Sequence, residues 1–355
     1  MSELKRATLQ MIADRAGVSK MTVSRVLRNH PNCGKETRKR VERIAKELNY
    51  KKHPLVSALM TDLRYKKKSA FKPIIALLHL DQPKRKLHPN LKNMRAGAKE
   101  SAEAQGYDVE EFYMEEPGMT TKRMMQILKT RGIHGIIFEH SAQPDVSLEI
   151  DLSNYACVAT KYSVTDPDLH RIETGQFHSI LLSVKTLKRY GYKSFGLVVP
   201  VLAENISQFR RSGATLYVQE QFPESERIPI LKTDDLKVYA LKEWIERYRP
   251  EVVLSQSIEV YEMLQELGYR IPEDFGFIHL GLFEFDGKLA GINPNWHEMG
   301  RIAANQVIDQ LNRNERGVPE HPLVTLIKGE WVDGATLPDK RKASPSNQRA
   351  TATKA

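Results

Sequence analysis

Residues 8–28 read TLQMIADRAGVSKMTVSRVLR, and the reading of this run decides how the N-terminal part of the chain folds. Leu9, Ile12, Ala13 and Ala16 recur at helical spacing behind Thr8, a residue suited to an N-cap. Gly17-Val18 breaks this helix. Ser19 can cap a second helix that holds Val23, Val26 and Leu27 inward. Two helices and a tight turn make a helix-turn-helix, in which the first helix braces the second. Lys20, Met21, Thr22, Ser24 and Arg25 are then free to face a major groove. The free N–H groups that open the second helix, together with Ser19, suit a phosphate. Arg25 is long enough to fork onto a guanine edge. A third helix is expected over 36–48, with Val41, Ile44, Ala45 and Leu48 as its apolar stripe. An ordinary helical hairpin would share this pattern, so the charge distribution has to separate the two readings.

The chain has 355 residues and a formal net charge of +10. Residues 1–72 hold 19 Lys+Arg against 6 Asp+Glu, and residues 339–355 hold 5 against 1, which leaves 30 against 37 for residues 73–338. A basic head on a mildly acidic body is the asymmetry expected where one end meets nucleic acid; a membrane-surface patch is the alternative. No run approaches the roughly 18 apolar residues of a membrane-spanning helix. The opening MSELKRATLQMIADRAG lacks the apolar core of a secretory signal. Two cysteines, Cys33 and Cys157, cannot build a disulfide framework. These features lead us to expect a cytoplasmic protein.

After the head (1–50) comes a connector, 51–72, with a short helical segment at 54–60 opened by Pro54, a residue suited to a first helical position. The basic run Arg64-Tyr65-Lys66-Lys67-Lys68 follows it. From residue 73 to 338 the pattern is α/β. Apolar strand candidates lie at 74–80, 133–139, 157–160, 195–199, 252–254 and 277–280, and helical segments lie between them, for example at 91–105, 121–131, 180–190 and 236–249. This alternation predicts parallel sheets, with length enough for two lobes. The tail 339–355 is polar and basic and is expected to be disordered. No catalytic or metal constellation emerges. Arg301 stands where a His297-Glu298 metal motif would need its second histidine, and no phosphate-cradling glycine motif occurs. No catalytic, metal or cofactor site is expected.

Residues 8–60 resemble the DNA-binding head of the LacI/GalR family of bacterial transcription regulators. The TLQMIADRAGVSKMTVSRVL run, then Thr37-Arg38, then Glu47-Leu48-Asn49-Tyr50, carry the resemblance in order and spacing. It extends through the body on Gly97, Gly106-Tyr107, Gly132 to Gly135, Gly191-Tyr192, Gly268 to Asp274 and Trp331 to Gly334. The resemblance implies an all-α three-helix head with a hinge helix, joined to a two-lobed α/β domain of periplasmic-binding-protein type I, crossed by three strands and holding a small ligand in its cleft. It implies a homodimer on a pseudo-palindromic operator, usually a repressor, modulated by a sugar or related metabolite, and no enzyme. Base reading would fall on Lys20, Met21 and Arg25, and phosphate contact on Thr8, Ser19, Thr22, Ser24 and Arg28. His53 precedes the hinge helix, and Leu59 would wedge into the minor groove. For the effector the resemblance points to Arg210, with Gln256 and Glu284 as further candidates. The family's cleft aspartate falls near Gly281, so its usual sugar-gripping carboxylates are missing here. Two alternatives therefore stay open: a regulator whose sensor has lost its ligand, and a small-molecule-binding protein or enzyme of α/β fold.

Overall fold

The computed structural model describes residues 9–27, 33–48, 50, 72–81, 89–233 and 238–342. The head is three helices, α1 (Leu9–Ala16), α2 (Lys20–Leu27) and α3 (Lys35–Glu47). Its core is Ile12, Ala13, Ala16, Val23, Val26, Val41, Ile44 and Ala45. These are the positions that helical periodicity assigned inward, and Gly17 makes the turn at φ +62°. The expected hinge segment at 54–60, the basic run after it and most of the tail lie outside the described residues.

The body has two sheets. In the first lobe six parallel strands lie in the order β13-β7-β5-β3-β1-β2. They are β1 (Ile74–His79), β2 (Asp108–Tyr113), β3 (Gly135–Phe138), β5 (Ala156–Thr160), β7 (Arg171–Thr174) and β13 (Val324–Ile327). In the second lobe the order is β14-β12-β11-β10-β8-β9, with β14 antiparallel to β12. These strands are β8 (Gly196–Pro200), β9 (Leu231–Thr233), β10 (Val252–Ser255), β11 (Gly276–His279), β12 (Ala290–Asn293) and β14 (Glu330–Val332). A two-stranded pair, β4 (Val146–Ser147) with β6 (Val164–Asp166), flanks the first sheet. The central strands β3, β5, β10 and β11 are buried along their whole length. Helices cover both faces, so these strands read as continuous apolar runs instead of alternating ones.

In the first lobe, helices α4 (Pro89–Ala104) and α5 (Thr121–Thr130) link successive strands. In the second, α6 (Gln176–Tyr190) precedes β8, α7 (Val201–Ile206) and α8 (Arg210–Gln219) follow it, and α9 (Val238–Tyr248) and α10 (Ile258–Glu266) flank β10. Helix α11 (Trp296–Arg313) leaves the second lobe after β12 and packs on α4 and on the first sheet. Among the described residues no helix is long and apolar enough to cross a membrane.

The chain passes between the lobes three times: after β7, after β12, and between β13 and β14. The passages are bonded to one another. Gly175 N–H donates to the Ile327 carbonyl at 2.7 Å, and the Asn295 side-chain amide donates to the Lys328 carbonyl at 3.1 Å. Gly329 sits where a Cβ would come within 2.5 Å of the Ile292 side chain. The three passages are therefore held as one unit, and the cleft opens beside it.

Gly213 in α8 gives a contrasting case. A Cβ there would meet nothing within 4 Å. Gly213→Ala is expected to stabilise the chain by about 0.5–1 kcal/mol, because glycine loses more backbone freedom in a helix interior than alanine. A thermal melt that falls instead of rising would contradict this.

Candidate functional site

The head presents its second helix as a platform. Val23 and Val26 are buried and fix α2 to the other two helices. Ser19 caps it: its Oγ accepts the Thr22 N–H at 3.1 Å and lies 2.9 Å from Thr22 Oγ1. Lys20, Met21 and Arg25 are exposed, and Thr22 and Ser24 are half-buried. Met21 is 63% exposed, an apolar side chain kept out of the core at the start of the helix. Such a face offers an apolar contact for a thymine methyl beside a guanidinium for a guanine edge. Thr8, Arg28, His53 and Leu59 lie outside the described residues.

The second candidate is the cleft between the lobes, a cavity of about 640 Å³. It opens at the carboxyl ends of strands from both sheets, where ligands of α/β folds bind. On the first lobe it is walled by His79, Arg95, Tyr113 and Glu139. The parallel register pairs Leu78 with Phe138, which brings the next residues, His79 and Glu139, side by side. His79 Nδ1 makes a short hydrogen bond to Glu139. Arg95 bridges Glu139 at 3.2 Å and Glu111 at 3.0 Å. Tyr113 donates to Glu111 at 2.6 Å and stacks on His79 at 4.4 Å. Burial first, and then the bond to Glu111, push the Tyr113 hydroxyl up to about 12.

Trp296, Lys161 and Gln176 line the cleft beside the passages. Lys161 is held at φ +57°, its Nζ 4.2 Å above the Trp296 ring and 3.5 Å from His140 Nε2. Burial pushes the Lys161 ammonium down to about 8, against the pull of Glu173. On the second lobe stand Arg211, Gln256 and His279. Arg211 is buried 3.6 Å from Glu204, and burial lowers its pKa. Glu204 is itself fixed by the Ser212 N–H at 3.2 Å and Ser207 Oγ at 3.4 Å.

Of the three effector residues expected from sequence, Gln256 lines the cleft. Arg210 does not. Its guanidinium lies over the Tyr162 ring at 3.7 Å and donates to the Ser207 carbonyl at 3.0 Å. Adjacent helical residues point about 100° apart, so only one arginine of this pair can enter the cleft. Phe209, in the left-handed region just before α8, sets the start of the helix that selects Arg211. Glu284 also lies outside the lining, while its neighbour Phe283 is part of it. Sequence reasoning missed Lys161, Arg211 and the His79–Glu139 pair. A usable signal was that each follows or ends a strand at the carboxyl edge, except Arg211, whose signal was the doubled arginine.

Residues 8–53 match the family of bacterial regulatory proteins named for lacI. Residues 184–336 match the periplasmic binding protein-like domain. The ribose operon repressor of Haemophilus influenzae is 24% identical over 341 residues, covering 90% of this chain and 97% of the relative. The PurR repressor of the same organism is 21% identical, covering 90% and 96%. Among solved structures, a lac repressor dimer bound to operator and the anti-inducer ONPF aligns with a TM-score of 0.54 at 18% identity, over 94% of this chain and all of the other. A CelR–cellobiose complex aligns at 0.54 and 16%, over 93% of this chain and all of the other. The structures share the fold, and the sequence matches reach both ends of the architecture. A helix-turn-helix head that matches the lacI family of bacterial regulatory proteins thus precedes a two-lobed body that matches the periplasmic binding protein-like domain, the architecture of DNA-binding transcriptional regulators.

Proposed function

We propose that the chain binds a pseudo-palindromic operator as a homodimer, and that a small molecule in the interlobe cleft changes its affinity for that operator. The observation that carries the DNA half of this reading is the exposed Lys20-Met21-Arg25 face on a helix anchored by Val23 and Val26. Two copies of that face, related by a two-fold axis, read two half-sites of inverted sequence. Ser19, Thr22 and Ser24, with Thr8 and Arg28 beyond the described residues, take phosphates and fix register. The names of the relatives, ribose operon repressor and PurR, support repression as the sense of regulation. The protein works in the cytoplasm, where its operator is.

The effector half rests on the cleft. A buried donor and a buried acceptor without hydrogen-bond partners, Trp296 Nε1 and Gln176 Oε1, belong to side chains that line it. An unmatched buried polar atom costs about 1–3 kcal/mol, and a bound polar ligand would remove that cost. This favours a working sensor over a degenerate one. Effector binding shifts the closure of the lobes, and operator binding must alter effector affinity by the same factor.

Leu59 is assigned the minor-groove wedge at the operator centre. Leu59→Ala is expected to reduce operator bending and affinity while two chains still occupy one duplex. Circular-permutation gel shifts with sedimentation of the complex read both quantities. An unchanged bend would remove the wedge from the account, and one chain per duplex would contradict the dimer.

A further inference from the structure

The charged groups that line the cleft differ in how firmly they are held. Its carboxylates are spent on the protein. Asp81 accepts from Ser141 Oγ at 2.7 Å and from the Ala142 N–H at 2.9 Å. Glu139 is held by His79 and Arg95, and Glu259 takes the Ser257 hydroxyl. Its cations Lys161 and Arg211 are held more loosely. Arg211 Nη1 is ion-paired with Glu204 Oε1 at the loose distance of 3.6 Å, too long for a hydrogen bond. Lys161 carries three N–H donors and has His140 Nε2 at 3.5 Å and the Trp296 face at 4.2 Å as its near partners. Trp296 Nε1, a further donor from the lining, is buried without a hydrogen-bond partner.

The counter-charges stand outside the cavity. Glu204, 3.6 Å from Arg211, does not line it. Nor does Glu173, whose Oε1 is taken by the Thr174 N–H at 2.6 Å, Thr174 Oγ1 at 2.8 Å and Gln176 Nε2 at 3.4 Å. Lys161 and Arg211 thus line the cleft while Glu173 and Glu204, the carboxylates that attract them, do not. A charged buried donor is costly unless paired, and a planar guanidinium beside an ammonium matches the oxygens of an anion.

We propose that the cleft takes a small acid, with its carboxylate or phosphate held by Lys161 and Arg211. This rests on the cleft being the effector site, and it narrows the ligand class from polar metabolites in general to acids. The ligand supplies the acceptor that Trp296 Nε1 lacks, and a nearer one for Arg211 than Glu204 at 3.6 Å. Gln256 and His279 also line the cleft and would meet its uncharged end.

The test is calorimetric titration of the full-length, DNA-free protein. Inorganic sulfate is the first probe, because its charge is constant between pH 6 and pH 9. Saturable binding of one sulfate per chain is expected, weakened roughly tenfold or more by Lys161→Gln and by Arg211→Gln, since each removes a charge-assisted hydrogen bond. Lys161 is faced by His140, Glu173, Arg211 and Glu139. Because burial sets its pKa near 8, sulfate binding should also weaken as pH rises through that value, and Lys161→Arg should abolish the pH dependence. Glucose, gluconate and glucose 6-phosphate then separate a neutral ligand from a carboxylate and from a phosphate ester. At least one acid binding tighter than glucose supports the proposal. Glucose binding as tightly as both acids, no saturable acid binding at all, or acid binding that survives both glutamine substitutions overturns it. Operator binding measured on the same variants keeps the outcomes apart: intact operator binding without acid binding removes the acid site alone, whereas loss of operator binding in the parent chain would remove the regulator reading.

Discussion

Replacing Gly300 by alanine is expected to lower the melting temperature by roughly 6–12 °C. Gly300 lies in α11, where it crosses α4, and a Cβ there would fall 1.7 Å from the Met94 carbonyl oxygen and 2.8 Å from the Ala98 nitrogen. Facing it, Gly97 would place a Cβ 1.9 Å from the His297 carbonyl oxygen. Two glycines thus let the helix backbones touch, and the atoms in the way are main chain, which cannot rotate aside. Around them Asn305 Oδ1 accepts from Ser101 Oγ at 2.7 Å and from Gln105 Nε2 at 2.6 Å. Overpacking a tight core costs about 1–3 kcal/mol and occasionally more, and a clash against backbone belongs at the upper end. At roughly 2–4 °C per kcal/mol for a domain of this size, the range given follows. The effect reaches function because Trp296, at the start of the same helix, lines the cleft. Calorimetric melts of the full chain decide the matter. A melt equal to the parent's would mean that the two helices do not approach as described.

Arg25→Ala is expected to weaken binding to the selected operator by roughly 5- to 150-fold, the equivalent of about 1–3 kcal/mol for a bidentate arginine on guanine. On a scrambled duplex the loss should be small, because there the side chain contributes only one charge among the many of the head. Arg25 is exposed on α2 and is not needed for the core, whose buried members on that helix are Val23 and Val26. Its removal should therefore leave the head folded. Fluorescence anisotropy on both duplexes across a salt series separates the terms. Equal losses on the two duplexes would show that Arg25 meets phosphate and carries no base reading.

Much of this fold was legible because its signals are local. The head follows from helical periodicity, a cap and a glycine turn, and its third helix falls within a residue of the expected limits. The central strands follow from apolar runs. The edge strands did not: β2, β13 and β14 are partly exposed, and β2 and β14 carry charged residues. Strand β7 is central but polar. It buries Arg171 and Glu173, and Arg171 is satisfied by the carbonyls of Lys161 and Val164, the carboxylate of Asp168 and the Tyr162 ring, partners a linear pattern does not reveal. The cleft was legible least, because it is assembled across distance. His79 and Glu139 are 60 residues apart and meet through strand register. That Arg211 and not Arg210 lines the cleft follows from where the helix after the left-handed Phe209 begins, which a motif match cannot see.

The head and body together make one central claim, that this chain reads a specific DNA sequence as a symmetric pair. The most direct test is selection of genomic fragments by the purified full-length protein at physiological salt, with the bound DNA sequenced. The account predicts enrichment of a single pseudo-palindrome, two inverted half-sites whose separation is set by the dimer. Uniform recovery of fragments, with binding that falls away as salt rises, would leave only attraction to phosphates and would contradict it.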